Sequence, residues 1–182
     1  GDTAVLQTLT LSNATTATTE ATVKDLAELT AALAKDKLTT ITLADKAEIA
    51  AIQGTAVGIP KGKTLVIPAG ASLSGAEYIT NNGTLVVNDA AGLALGASVG
   101  GNITLGSHIT LTDAIGKNGV AFEGTLDGAG YSIDFSAVNG ADYGVFAADT
   151  TGDTTIKNVT LQPGLDSVEY FIYMAGGTAF TY

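Results

Sequence analysis

The feature that most constrains this chain is a short strand unit that keeps returning. Between Ala121 and Leu161 the run AFEGTLDGAGYSIDF gives way to a Gly/Asp-rich interval, then YGVF, then TTIKNVTL. Each unit alternates apolar and polar residues and is closed by a Gly-bearing turn, the pattern of a half-buried strand. The same unit stands at TTITL (39–43), KTLVIP (63–68), GTLVVN (83–88), NITL (102–105) and HITL (108–111). Aligned on the first large apolar residue (Ile41, Leu65, Leu85, Ile103 or Ile109, Ile133, Ile156), the units recur every 18–24 residues. A drifting period of that size belongs to a chain that wraps repeatedly around one axis, each pass covering the last. A β-sandwich would place turn signals about every 8–12 residues. Asn82-Gly83 is the step that suits a hairpin and keeps the sandwich as the alternative. The period is lost near residues 89–108, where one irregular turn is expected.

Residues 3–13 (TAVLQTLTLSN) alternate from Gln7 onward and predict a strand, and 14–21 (ATTATTEA) reads as a small, polar connector. Thr22 to Asp36 predicts the one helix. Thr22 is placed to cap it, with Asp25 three residues on. Leu26, Leu29 and Leu33 form its apolar stripe, and Lys35 and Lys37 suit the negative end of its dipole. Such a stripe must cover something apolar. The open end of the strand stack, with its unpaired edge, is the expected place.

Composition narrows the partners. Eighteen acidic residues face eight lysines and no arginine, for a net charge of −10. A nucleic acid would be repelled at long range and would find few phosphate clamps; an anionic membrane surface is disfavoured for the same reason. No apolar run is long enough to span a bilayer. The chain has no cysteine, which excludes disulfides and thiolate metal sites and is compatible with an exported bacterial protein. Gly1-Asp2 lacks an initiator Met and suggests a trimmed start. At 182 residues, with 46% hydrophobic but only 6% aromatic residues, the composition predicts one thin, layered β unit.

FEGTLDGAGYSI, from Phe122 to Ile133, resembles the F-x-G-x-L-D-G-x-G-x-x-I signature of right-handed parallel β-helix proteins, among them pectin-lyase-like and GLUG-type bacterial surface proteins. Tyr143-Gly144-Val145-Phe146 resembles the family's G-L-F step. Ile156-Lys157-Asn158-Val159-Thr160-Leu161 resembles its I-x-N-L-x-L rung, and the opening VKDLAELTAALAKDKLTTITLA its cap and first rung. About 60 of the 182 residues carry the likeness. It implies an all-β chain: a right-handed parallel β-helix of about six or seven coils behind an N-terminal amphipathic capping helix. Residues 1–37 would be strand, connector and cap, and residues 38–182 the β-helix. Asn158 would fill an inward corner and stack on polar neighbours. Tyr131, Ile133 and Phe135 alternate with Ser132 and Asp134, so the first set is expected inside and the second outside.

Enzymes that this fold resembles act on polysaccharides. Their lyases use an arginine or lysine base beside calcium-binding carboxylates, and hydrolases need paired carboxylates. Asp127 and Asp134 are the catalytic candidates; their setting reads as a turn and a solvent face. Asp142, Asp149 and Asp153 crowd one loop-rich segment and are the calcium candidates, although their spacing matches neither an EF-hand nor an acidic nonapeptide repeat. His108 is the single histidine and reads as a surface residue, because zinc chemistry wants several ligands. Gly128-x-Gly130 precedes a strand and lacks the third glycine of a dinucleotide loop. Threonines flank the strand cores, which strand propensity explains; a regular outward threonine lattice would suit ice, but the uneven period argues against one. Tyr170, Phe171 and Tyr173 sit in the most aromatic stretch and are the candidates for pairing with another module.

The expectation is therefore a non-catalytic, secreted or cell-surface bacterial module for adhesion, carbohydrate contact or assembly, with no cofactor; calcium at the acidic loop is the alternative. Its partners would be carbohydrate or another surface protein, with neither nucleic acid nor membrane insertion. A polysaccharide lyase or hydrolase of the same fold is the second reading. Self-association through the C-terminal rung is the third.

Overall fold

The computed structural model describes residues 18–115, 122–138, 146–148, 154–162 and 172–174. Alternation decides the local structure. In Thr40–Leu43 (β2), the β-branched and leucine side chains point alternately outward and inward, with Ile41 and Leu43 buried and the threonines half-buried. Before it come β1 (Glu20–Val23) and α1 (Leu26–Leu33); after it come β3 (Glu48–Ala50), β4 (Val57–Ile59) and β5 (Thr64–Ile67). Then follow β6 (Ser72–Ser74), a short 3-10 turn, β7 (Ile79–Asn81), β8 (Thr84–Val87), α2 (Ala90–Val99), β9 (Gly101–Leu105) and β10 (Ile109–Thr110). The remaining strands are β11 (Gly124–Asp127), β12 (Ser132–Asp134), β13 (Phe146–Ala148), β14 (Thr154–Lys157), β15 (Thr160–Gln162) and β16 (Ile172–Met174).

Every pairing between these strands is parallel. One sheet carries seven of them in the order β1-β2-β5-β8-β9-β11-β14. Shorter ladders join β3 to β6, β4 to β7, β10 to β12 and β15, and β13 to β16. The protein is thus strand-rich and built on parallel sheets. The Asn82-Gly83 step, which suited a hairpin, joins β7 to β8 without pairing them: β7 pairs β4, while β8 lies between β5 and β9. Among the described residues the antiparallel contact is an isolated bridge, Ile52 to Thr55.

Register holds across the large sheet although the sequence period drifts. Ile41, Leu65, Leu85, Ile103 and Leu126 are neighbours in one buried file. Ile67, Val87 and Leu105 form a second. At about 1.5–3 kcal/mol for each fully buried aliphatic side chain, these files are the main source of stability. The uneven intervals are absorbed in the connections, so each pass still delivers its apolar residues to the same line.

Helix α1 is shorter than the sequence predicts. Thr22 belongs to β1, opposite Thr42, and Asp25 is the cap, accepting from the Glu28 amide at 2.9 Å. Glu28 reaches back to the Lys24 amide at 3.0 Å, so two amides at the helix start are satisfied by reciprocal carboxylates. The capping partner is right in chemistry but one turn later, because Glu20 to Val23 gain more by adding a strand to the sheet. Of the expected connector, Glu20 and Ala21 belong to β1 instead, and the expected strand at 3–13 and residues 14–17 lie outside the described residues. Leu29 and Leu33 are buried, and α1 lies against β4, β1 and β2 at one end of the strand array.

The region read as one irregular turn contains a second helix. α2 is capped by Asp89, whose Oδ1 accepts from the Gly92 amide while Oδ2 accepts from the Gly70 amide, both at 2.8 Å. It occupies the stretch between β8 and β9, where the two preceding passes place two short strands each. Gly92 and Gly96 let it approach closely: a Cβ on Gly96 would sit 3.2 Å from the Ile103 side chain. Its buried residues are Gly92, Leu93, Gly96 and Ala97, so one leucine faces inward and no leucine stripe marks the helix in the sequence.

Candidate functional site

The turn after β11 holds the first candidate carboxylate. Asp127 Oδ1 accepts from the Ala129 amide at 2.9 Å and from Asn158 Nδ2 at 3.1 Å, and Lys157 Nζ lies 3.4 Å from Oδ2. The Ala129 amide first, then Asn158, then Lys157 hold the Asp127 carboxyl below its usual range. Ala129 itself has φ +50°, a left-handed turn that the carboxylate fastens. Gly128 is required by crowding: a Cβ there would strike the Asn158 carbonyl and come within 2.5 Å of Val159 Cα. Asn158 is exposed, with φ +54°, so the expected inward stack of asparagines is not formed at this position. Its amide is directed to Asp127 on the strand before it.

Asp134, at the end of β12, accepts from the Ser136 amide at 2.9 Å, and bonds from Ser136 lower its pKa also. The two aspartates sit on different sheets, each fastened to its own turn. Asp142, Asp149, Asp153, Tyr170 and Phe171 lie outside the described residues; Tyr173 falls on β16, in backbone register with Ala147. Among the described residues, no three His, Asp or Glu side chains stand together as a metal would require.

A polar contact invisible in the sequence joins β12 to the turn before β10. His108 Nδ1 lies 2.8 Å from Ser132 Oγ and accepts the Ser132 amide at 3.1 Å, while the ring meets Tyr131 edge-on at 5.3 Å. Ser132 was expected outside; His108 covers it, leaving it 7% exposed. Because a backbone amide can only donate, Nδ1 is the acceptor, and the neutral ring carries its proton on Nε2. A second such feature is Lys63, buried at 9% exposure, whose Nζ donates to the carbonyls of Lys35 at 2.6 Å and Leu38 at 2.7 Å.

A scan of family models, a search of curated proteins and a search of solved structures each found no match.

Among the described residues the sheet with the most strands is the seven-stranded one, and its outward side is regular. Thr40, Thr64, Thr84, Asn102, Thr125 and Thr155 are successive register partners in one file. Two residues along, Thr42, Val66, Val86 and Thr104 form the other file, continued by Asp127 and Lys157. From β2 to β9 neither file holds a charge. The uneven sequence period argues against a regular threonine array. That objection fails, because register is set by the inward apolar files and not by connection length.

Proposed function

We propose that this chain is a non-catalytic, right-handed parallel β-helix module of a secreted or cell-surface protein of bacterial type, working by contact: adhesion, carbohydrate contact or assembly. The observation that carries the reading is the outward face of the seven-stranded sheet, in register over successive strands and uncharged through its middle. Three kinds of evidence support the β-helix. Strands about 20 residues apart pair in parallel, shorter ladders follow in a fixed chain order, and Phe122 to Ile133 resembles the family signature. Helix α1 closes one end. Asp127 and Asp134 hold turns in place, which favours contact over catalysis. The acidic, cysteine-free and arginine-free composition suits an exported chain.

Assembly has its own observation. Leu161 on β15 is 36% exposed and Ile156 on β14 half-buried, whereas their register partners Ile133 and Leu126 are buried. An apolar strand end of this kind suits stacking on another module.

The test is an oligosaccharide array and turnover assay, with and without calcium, alongside sedimentation over a range of concentrations. Glycan binding without turnover, or concentration-dependent association, is the expected result. Cleavage products would overturn the non-catalytic reading and turn attention to Asp127, Asp134 and the acids between 142 and 153.

A further inference from the structure

We infer that the outward face of the seven-stranded sheet adsorbs to ice. This rests on the reading of the chain as a contact module and names what that face contacts.

Hydroxyls are the first argument. Some threonine hydroxyls of the protein are taken up by backbone carbonyls: Thr30 by Leu26, Thr39 by Thr19 and Thr154 by Phe122. On the sheet face, among the described residues, those of Thr40, Thr64, Thr84 and Thr104 have no protein partner. They are left to bond with whatever lies against the sheet.

Spacing is the second. Parallel strands set neighbouring threonines about 4.8 Å apart. In ice, O–H···O bonds of about 2.8 Å at tetrahedral angles place second-neighbour oxygens about 4.6 Å apart. The hydroxyls of Thr40, Thr64 and Thr84, on three adjacent strands, therefore meet a water crystal at nearly its own repeat, while the threonine and valine methyls rest against the ordered water between them.

Chemistry on the face suits ice better than it suits a charged polymer or a stacked sugar. The chain carries 18 acidic and 8 basic side chains, yet from β2 to β9 both files are neutral, so nothing there recognises a charged polymer. Neither file holds an aromatic ring on which a sugar would stack.

The experiment measures thermal hysteresis and ice-crystal shape with the purified chain, together with adsorption of the labelled protein to a growing ice hemisphere. Wild type should separate freezing from melting, facet the crystals and enter the ice. The double variant Thr64→Lys/Thr84→Lys should lose most of the hysteresis while keeping its circular dichroism spectrum. Ser72→Lys, exposed on β6 in a different sheet, should keep it. No hysteresis and no adsorption by wild type would overturn the inference. So would full activity in the double variant, or equal loss in Ser72→Lys. A wild type that binds a glycan or self-associates but leaves ice growth unchanged would overturn ice binding alone; polysaccharide cleavage would overturn the contact reading beneath it.

Discussion

Lys63, on the pass after α1, donates its ammonium to the carbonyl of Leu38 at 2.7 Å, and to that of Lys35 at 2.6 Å. The side chain gathers the carbonyls of the segment that leads out of α1, and so ties the helix to β5. A buried ammonium is tolerable only with such partners. Lys63→Met keeps the stem and strands the Leu38 carbonyl, while that of Lys35 keeps its bond from the Leu38 amide at 3.1 Å. It should destabilise the protein by about 2 kcal/mol in urea titration, with loss of amide protection concentrated in α1.

Two glycines of one turn separate crowding from backbone conformation. Gly128→Ala forces a Cβ into the backbone of Asn158 and Val159, whereas Gly130, at φ +87°, has open space around its missing Cβ. Gly128→Ala should cost about 3 kcal/mol, near the top of the range for overpacking. Gly130→Ala should cost about 1 kcal/mol, the conformational term alone. Thermal melts of the two variants check the order.

The Asp127 turn responds to acid. Its carboxyl titrates below the usual range when folded, so its contribution is present above that range and is lost as pH falls through the folded value. Wild type should lose stability on acidification below about pH 4. Asp127→Ala should begin about 1 kcal/mol lower at neutral pH and show a shallower acid slope. Denaturation midpoints across the acid range are the measurement.

His108 and Ser132 give a spectroscopic prediction. Nitrogen-15 shifts of the imidazole should report the Nε2–H tautomer for the neutral ring, with the Ser132 amide proton shifted by its bond to Nδ1. His108→Ala should cost about 1–2 kcal/mol by leaving a buried amide without its acceptor.

Much of this organisation was legible because its signals are local. Ile41, Leu65, Leu85 and Ile103 are read directly as inward residues, and they are register neighbours. Asp127 before Gly128 announces a turn, and the turn is there. What stayed hidden depends on neighbours far along the chain. Ser132 is buried because His108, 24 residues earlier, lies over it. Lys63 is buried because Lys35 and Leu38 offer carbonyls. Helix α2 escaped because its buried side sets a single leucine, Leu93, among glycine and alanine, with Gly92 close to Val87 and Gly96 close to Ile103. The face with free hydroxyls was read from its connections, whose lengths vary, when the strands alone determine it.

Helix α2 has one more effect. By standing where two short strands would run, it separates the β3-β6 and β4-β7 ladders from β10-β12-β15 and β13-β16, while β8 and β9 continue side by side. Fraying that starts at the far strands can therefore halt at this joint, with the first passes still folded. The molecule has a built-in firebreak, and among the described residues the seven-stranded sheet is the strand ladder that crosses it.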